Sequence, residues 1–274
     1  MIGSREGISP RKTVLHGIVP PSPQYWAARA GDSPFAPGEL LRPGTVLPKP
    51  IPAWYHPDVP PERPIPYTYR HLLVDDDLIV VDKPHFLPTT SNGRLVRETL
   101  QTRLRVEFGE DDIVPLHRLD RLTSGVVVCS RRPATRAAYQ RIFLEGAARK
   151  YYRAFVKRPL YVDGSVELRL LKTPGRRQVK VDAAGKRAVT RLRAAGNEVD
   201  LWPETGRTHQ LRVTLAHLGS PIVGDDTYPV DTGLDLYDFR QPLLLQHAAI
   251  SFTDPLTGAP REFVSKWPLQ STLK

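Results

Sequence analysis

A single cysteine, Cys129, is all the thiol that the 274 residues hold, so no internal disulfide can cross-link the chain. It follows the apolar triplet 126–128, where a free thiol behaves as a small buried hydrophobe. Long apolar runs are missing too: nothing approaches the roughly 18 residues of a helical membrane span. The N-terminus lacks the apolar centre of a signal peptide, and a reducing, cytoplasmic location is the expectation. The histidines form no cluster at metal-ligand spacing; His209 and His217 lie eight positions apart with no third partner, and no metal is expected. Glycine-rich phosphate loops of the Walker or dinucleotide type are also lacking, so no nucleotide cofactor is called for.

Acid is the scarcer charge. Lys and Arg outnumber Asp and Glu by 39 to 29, for a net charge of +10, a balance that favours a polyanionic partner. The length allows one large mixed domain with an appendage. Residues 1–66 hold 15 of the 28 prolines and no sustained hydrophobic period. Proline fixes its own φ and removes a donor, so this stretch is expected to be a partly extended arm, with Trp26, Trp54 and Tyr55 anchoring it by packing. A compact domain is expected over 67–274.

Within it, 71–74 and 78–81 flank the triplet Asp75-Asp76-Asp77 and read as strand, turn, strand, the carboxylates serving the turn and not a metal. Val96, Leu100 and Leu104 recur every four residues and predict an amphipathic helix. A second helix is expected to start near Pro133 and stop at Gly146. Residues 149–157 alternate as a strand with Lys150, Tyr152, Ala154 and Val156 on one face, Tyr151 pointing away to the core. Between Lys172 and Arg193 stand eight basic residues and one acid, Asp182, with Ala183-Ala184-Gly185 as a turn. Such a segment predicts a basic hairpin able to grip phosphates.

Residues 117–125, HRLDRLTSG, crowd a carboxylate, two guanidiniums, an imidazole and two hydroxyls about one turn. Positive charge on both sides of Asp120 favours the ionised form that a nucleophile or base requires. The same residues could equally close a turn before the strand at 126–128.

The stretch resembles the signature of the RluA-type pseudouridine synthases. Three further stretches resemble that family in order: residues 77–84 (DLIVVDKP), 150–152 (KYY) and 204–212 (ETGRTHQLR). Shorter likenesses follow at 224–228 (GDDTY) and at His247-Ala248, so the resemblance spans about residues 75–258. It implies an α+β fold, a mixed and mainly antiparallel sheet flanked by helices with the active-site cleft across the sheet. It also implies isomerisation of specific uridines in rRNA or tRNA, without cofactor, by a chain expected to be monomeric.

By this resemblance Asp120 is the catalytic carboxylate, whether it attacks base or ribose or removes a proton being left open. Tyr152 is the active-site tyrosine that stacks on uracil. Arg207 is the basic partner of Asp120, with Arg212 the competing candidate. Arg118 is expected to enter the space left by a flipped base, since an enzyme acting on a paired uridine must extrude it. His117 either touches RNA or braces the turn; Thr123, Ser124 and Gly125 support the loop. Arg121, Arg176, Arg177, Lys180, Lys186 and Arg187, with Arg212, are the remaining RNA-contact candidates. Two positions depart from the family pattern: Thr214 and Asp254 stand where relatives usually carry histidine. A catalytically silent RNA-binding protein of the same fold is the alternative, disfavoured by the presence of Asp120, Tyr152 and Arg207 together. A two-carboxylate glycosidase using Asp120 with Asp225 or Asp226 is a remoter one.

Overall fold

A computed structural model of the chain describes residues 2–91 and 93–269. It divides into two compact units, Met1–Pro64 with Thr90–Ile113, and Ile65–Thr89 with Val114–Lys274.

The first unit is where proline density predicts an extended arm. It instead holds a four-stranded antiparallel sheet of β1 (Arg11–Leu15), β2 (Tyr25–Ala27), β3 (Leu40–Leu41) and β4 (Ile51–Tyr55), in the order β1-β4-β2-β3. Its strands are short, and Pro52 sits in β4 opposite Val14. Leu15, Val19, Ala27, Leu41, Ile51 and Ala53 form a small core, so burial of alternate apolar side chains prevails over the prolines. The helix expected around Val96, Leu100 and Leu104 is α1 (Leu100–Phe108) in this unit. Val96 stays outside, because the Thr99 hydroxyl caps the helix by accepting from the Thr102 N–H; Gly109 ends it in the left-handed conformation.

The second unit is built on a nine-stranded sheet. The triplet turn joins β5 (Arg70–Val74) to β6 (Leu78–Lys83), and the Asp75 carboxylate accepts from the N–H groups of Asp77 and Leu78. β7 (Val114–Pro115) leads through the 117–125 turn into β8 (Ser124–Ser130). Every residue of β6 and β8 is buried, which accounts for their unbroken apolar runs. Cys129 lies in β8 as expected, its thiol pushed up to about 12 by burial. α2 (Pro133–Leu144) starts at its proline and packs Tyr139 and Ile142 against Val126 and Val128.

β9 (Arg149–Lys172) runs much further than the alternation predicts, paired along its length with β11 (Lys186–Pro203) through a register shift at Gly196/Glu198. β10 (Val179–Val181) pairs with the far end of β9 on the opposite side from β11. The basic segment is therefore no hairpin: its two strands flank β9, joined by a turn at 182–185 in which Gly185 lies against the Leu170 backbone, where a Cβ would be 2.5 Å from the carbonyl carbon. α3 (Gln210–His217) follows β11, and β12 (Leu245–Thr253) is inserted between β8, in parallel, and β9, antiparallel, with β13 (Pro260–Val264) also paired to it. The sheet is thus mixed and mainly antiparallel, the fold class that the resemblance implies. Among the described residues no helix is long and apolar enough to cross a membrane, and no group of three or more His, Cys, Asp or Glu side chains could hold a metal.

Candidate active site

The 117–125 turn is held from beneath by residues that follow β6. Lys83 is fully buried, and its Nζ donates to the carbonyls of Pro84 (2.9 Å), Leu87 (2.8 Å) and Arg121 (3.4 Å). Burial drives this ammonium down to about 7, against the upward pull of Asp120. His85 Nδ1 bonds the Leu122 carbonyl at 2.8 Å, its pKa lowered to about 4 by burial. Thr89 exchanges two hydrogen bonds with Leu119, donating its hydroxyl to the carbonyl and accepting from the N–H. His117 braces the other end: its Nε2 accepts from the Val128 N–H, and its ring stacks on Phe143 at 5.1 Å. Burial, then the neighbouring His247 and Lys150, holds it well below the usual histidine range and so uncharged.

Asp120 emerges from this scaffold into a cleft of about 260 Å³ lined by His117, Arg118, Asp120, Tyr152, Arg207 and Arg212, among others. Its side chain is 34% exposed. The cation that reaches it is Arg212, with Nη1 at 3.7 Å from Oδ2. Arg207 lines the same cleft, but its Nε donates to the Arg187 carbonyl at 2.9 Å, which corrects the expected pairing. Arg212 projects from the buried face of α3 and is fixed by Asp225 in bidentate fashion (2.8 and 2.6 Å) and by Asp226 at 3.0 Å. Burial opposes its charge, yet the bonds and charge of Asp225, with Asp120 and Asp226, raise its pKa on balance. Asp225, with a side chain 1% exposed, also accepts from the N–H groups of Thr227 and Tyr228. It is an anchor for Arg212, not the second reacting carboxylate of a glycosidase.

His209 completes the surroundings of Asp120. It ends the turn after β11 in the left-handed conformation (φ 54°) and places Nε2 3.8 Å from Oδ2. Its Nδ1 is 3.0 Å from the Tyr228 hydroxyl, which accepts from the Val179 N–H. That leaves the hydroxyl its own proton to give to Nδ1, the tautomer in which Nε2, the atom that faces Asp120, carries the ring proton. Burial lowers its pKa while Asp120 opposes the shift.

Tyr152 lines the cleft from β9, its ring stacked on His247 at 4.4 Å. Its pKa is raised, first by burial and then by the Asp120 charge, so the phenol stays protonated at neutral pH. Tyr151 points away from it as expected, stacks on Trp202 at 5.4 Å and bonds Asp200, but it is half-buried and borders a second groove instead of lying in the core.

The remaining basic candidates divide. Arg118 is exposed on the cleft, and Arg176, Lys180 and Lys186 are exposed along the β10–β11 segment. Arg121 donates to the carbonyls of Asp235 and Leu236, Arg177 is ion-paired with Asp226 and Asp231, and Arg187 is paired with Glu167 at 2.9 Å. Of the two departures, Asp254 accepts from Tyr139, Arg261 and the backbone at 256 and 257, and Thr214 is buried in α3; both are structural. Lys83, His85, Thr89 and His209 are the contributors that sequence reasoning left without a role, although Lys83 and His209 lie in the stretches quoted for the resemblance; Asp225 was weighed only as a glycosidase carboxylate.

The sequence pattern of a family described as RNA pseudouridylate synthase matches residues 77–217. An uncharacterised RNA pseudouridine synthase of Synechocystis sp. is 32% identical over 228 residues, spanning 74% of this chain and 77% of the relative. The dual-specificity RNA pseudouridine synthase RluA of Haemophilus influenzae is 34% identical over 223 residues, 77% of this chain and 96% of its own. Among solved structures, human RNA Pseudouridylate Synthase Domain Containing 1 superposes with a TM-score of 0.58 at 25% identity, covering 73% of this chain and 84% of that one.

Proposed function

Because the chain belongs to the RNA pseudouridylate synthase family, on its RluA-type branch, it is an RNA pseudouridine synthase, and we propose that Asp120 is the carboxylate at its reacting centre. Its substrate on this reading is a uridine of rRNA or tRNA drawn out of a folded region. The isomerisation breaks the bond from uracil N1 to the ribose C1′, turns the ring and forms a bond from C5 to C1′. The hydrogen lost from C5 is balanced by one gained at N1, so no atom enters or leaves.

The observation that carries this reading is a reachable carboxylate aligned by a buried cation: Asp120 is open to the cleft, and Arg212, itself immobilised by Asp225, lies 3.7 Å from it. A guanidinium fixed in this way orients the carboxylate at no cost in reorganisation when the substrate arrives. His209 Nε2 lies 3.8 Å from the same carboxylate oxygen that Arg212 approaches. One face of Tyr152 is taken by His247, which leaves the other for the uracil ring, and the protonated hydroxyl is available as a donor. Arg118, exposed beside Asp120, is the side chain to fill the vacated stack; extruding a nucleotide costs a few kcal/mol, and a guanidinium stacked on the neighbouring bases offsets part of it.

Deleting the gene and mapping lost pseudouridines by carbodiimide-based sequencing tests the reading. At least one site should disappear, return with the parent gene, and stay absent with Asp120→Asn. Arg212→Ala should lose far more turnover than Arg207→Ala. If no site is lost, or the Asn form restores it, the chain is an RNA-binding protein on this fold and Asp120 is a turn residue.

A further inference from the structure

On the functional reading proposed above, we infer that His247 is a positioning residue that sets the plane of the Tyr152 ring in the cleft. Its place in the sheet is singular. β12 pairs His247 with Tyr152 on β9 and with Gly125 on β8, so one residue lies between the strand that bears the tyrosine and the strand that leaves the Asp120 turn. The imidazole stacks on the Tyr152 ring at 4.4 Å with the planes 22° apart, and meets the edge of His117 at 5.4 Å and 88°. Its Nδ1 donates to the Val126 carbonyl at 2.6 Å.

Two features say that this ring is placed for its face and for Nδ1 and takes no part as an acid or base. With the proton on Nδ1, Nε2 is a bare acceptor; it is buried and has no partner among the described residues. A buried unpaired acceptor costs stability that an apolar side chain would not. Burial also lowers the pKa of the imidazole to about 3, so the ring is neutral. The backbone is equally constrained: a Cβ on Gly125 would lie 2.2 Å from the His247 carbonyl oxygen, which locks the two strands at contact distance. With the main chain fixed on β8 and Nδ1 fixed on Val126, the ring face has one orientation. Tyr152 lies on it.

The test uses the full chain with the RNA transcript that carries the mapped site, and 3-fluorotyrosine placed at position 152. His247→Leu should lower kcat at least tenfold while KM moves less than twofold, and should broaden or split the fluorine resonance in the absence of RNA. His247→Phe, which keeps a flat ring on the same main chain but loses the bond that fixes its plane, should recover part of kcat; His247→Asn, which keeps a donor without the ring, should recover none. A folded Leu variant with kcat within twofold of the parent overturns the inference, as does recovery by Asn and not by Phe, which would make His247 only an anchor for Val126. Should the Leu variant not fold, the Phe and Asn variants decide between the two. Retained turnover in Asp120→Asn would sink the functional reading instead. The fluorine signal then decides this inference alone, a single unshifted resonance in the Leu variant overturning it.

Discussion

Lys83 keeps an ammonium group fully buried against three carbonyls, and its departure from an ordinary lysine has a definite sign. An unfolded lysine titrates near 10.5, whereas burial brings Lys83 to about 7. Between those values the unfolded chain binds the extra proton, so stability rises with pH across that window; below about 7 both states are protonated and the desolvation penalty is at its full value. Lys83→Met removes the titration. The unfolding free energy of the parent relative to the Met variant should increase from pH 7 to 9 by up to about 1.4 kcal/mol per pH unit. Denaturant titrations of both proteins at pH 6, 7, 8 and 9 measure it, and a difference that stays flat would mean Lys83 does not lose its proton in this range. The residue scale is also where the sequence was most and least legible. Asp120, Tyr152 and both arginines are reached through the resemblance of the stretches that hold them, since local pattern alone leaves Asp120 as readily a turn residue and Tyr152 as readily a packing one. The resemblance sets Arg207 ahead of Arg212 as the partner of Asp120, and the structure puts Arg212 there instead. That choice depends on the left-handed backbone at His209, which ends the turn before α3 and separates an exposed Arg207 from an Arg212 facing inward. The one usable signal was that Arg212 stands between Leu211 and Val213 while two adjacent acids, Asp225 and Asp226, lie a short loop away.

At the level of strands and helices, the β5–β6 hairpin, β8 and α2 could be read directly, since apolar runs, a turn triplet and a first-turn proline are local signals. β9 could not be followed past Lys157, because Pro159 and the register shift opposite it interrupt the alternation that a reader follows. The pairing of β10 and β11 on opposite sides of β9 is decided by contacts that no local pattern encodes. The close passage of β8 and β12 is of the same kind, and it can be tested. Gly125 has φ +110°, and a Cβ there would meet His247 backbone atoms at 2.2 to 2.7 Å. Gly164, within β9, has no positive φ and nothing within 4 Å of an added Cβ. Gly125→Ala should therefore destabilise the protein by more than about 2 kcal/mol, from backbone strain together with overpacking. Gly164→Ala should fall within about 0.5 kcal/mol of the parent or gain slightly. Thermal unfolding of the two variants side by side checks the contrast, and equal midpoints would show that β8 and β12 can separate without penalty.

Across the whole molecule the basic charge is unevenly shared. The unit formed by residues 1–64 and 90–113 carries 11 Lys and Arg against 10 Asp and Glu, and the other unit 28 against 19. The net charge that pointed to a polyanion thus belongs almost wholly to the unit with the Asp120 cleft. Phosphate neutralisation by exposed lysines releases counterions, so each lost contact lowers the slope of log K against log salt by about 0.7 on single strands and 0.9 on duplex. Lys180 and Lys186, exposed at the two ends of the turn that crosses β9, are the side chains to examine. Replacing both with glutamine should lower the slope by about 1.4 to 1.8 if both grip phosphates. The matching pair Arg11→Gln with Lys12→Gln, exposed on β1 of the near-neutral unit, removes the same formal charge and should leave the slope unchanged. Binding isotherms of labelled substrate RNA between low and physiological salt read both slopes. Equal reductions in the two double variants would mean that affinity follows total charge and not a basic surface beside the cleft, and an unchanged slope in the first would place the RNA backbone elsewhere on the unit that holds Asp120.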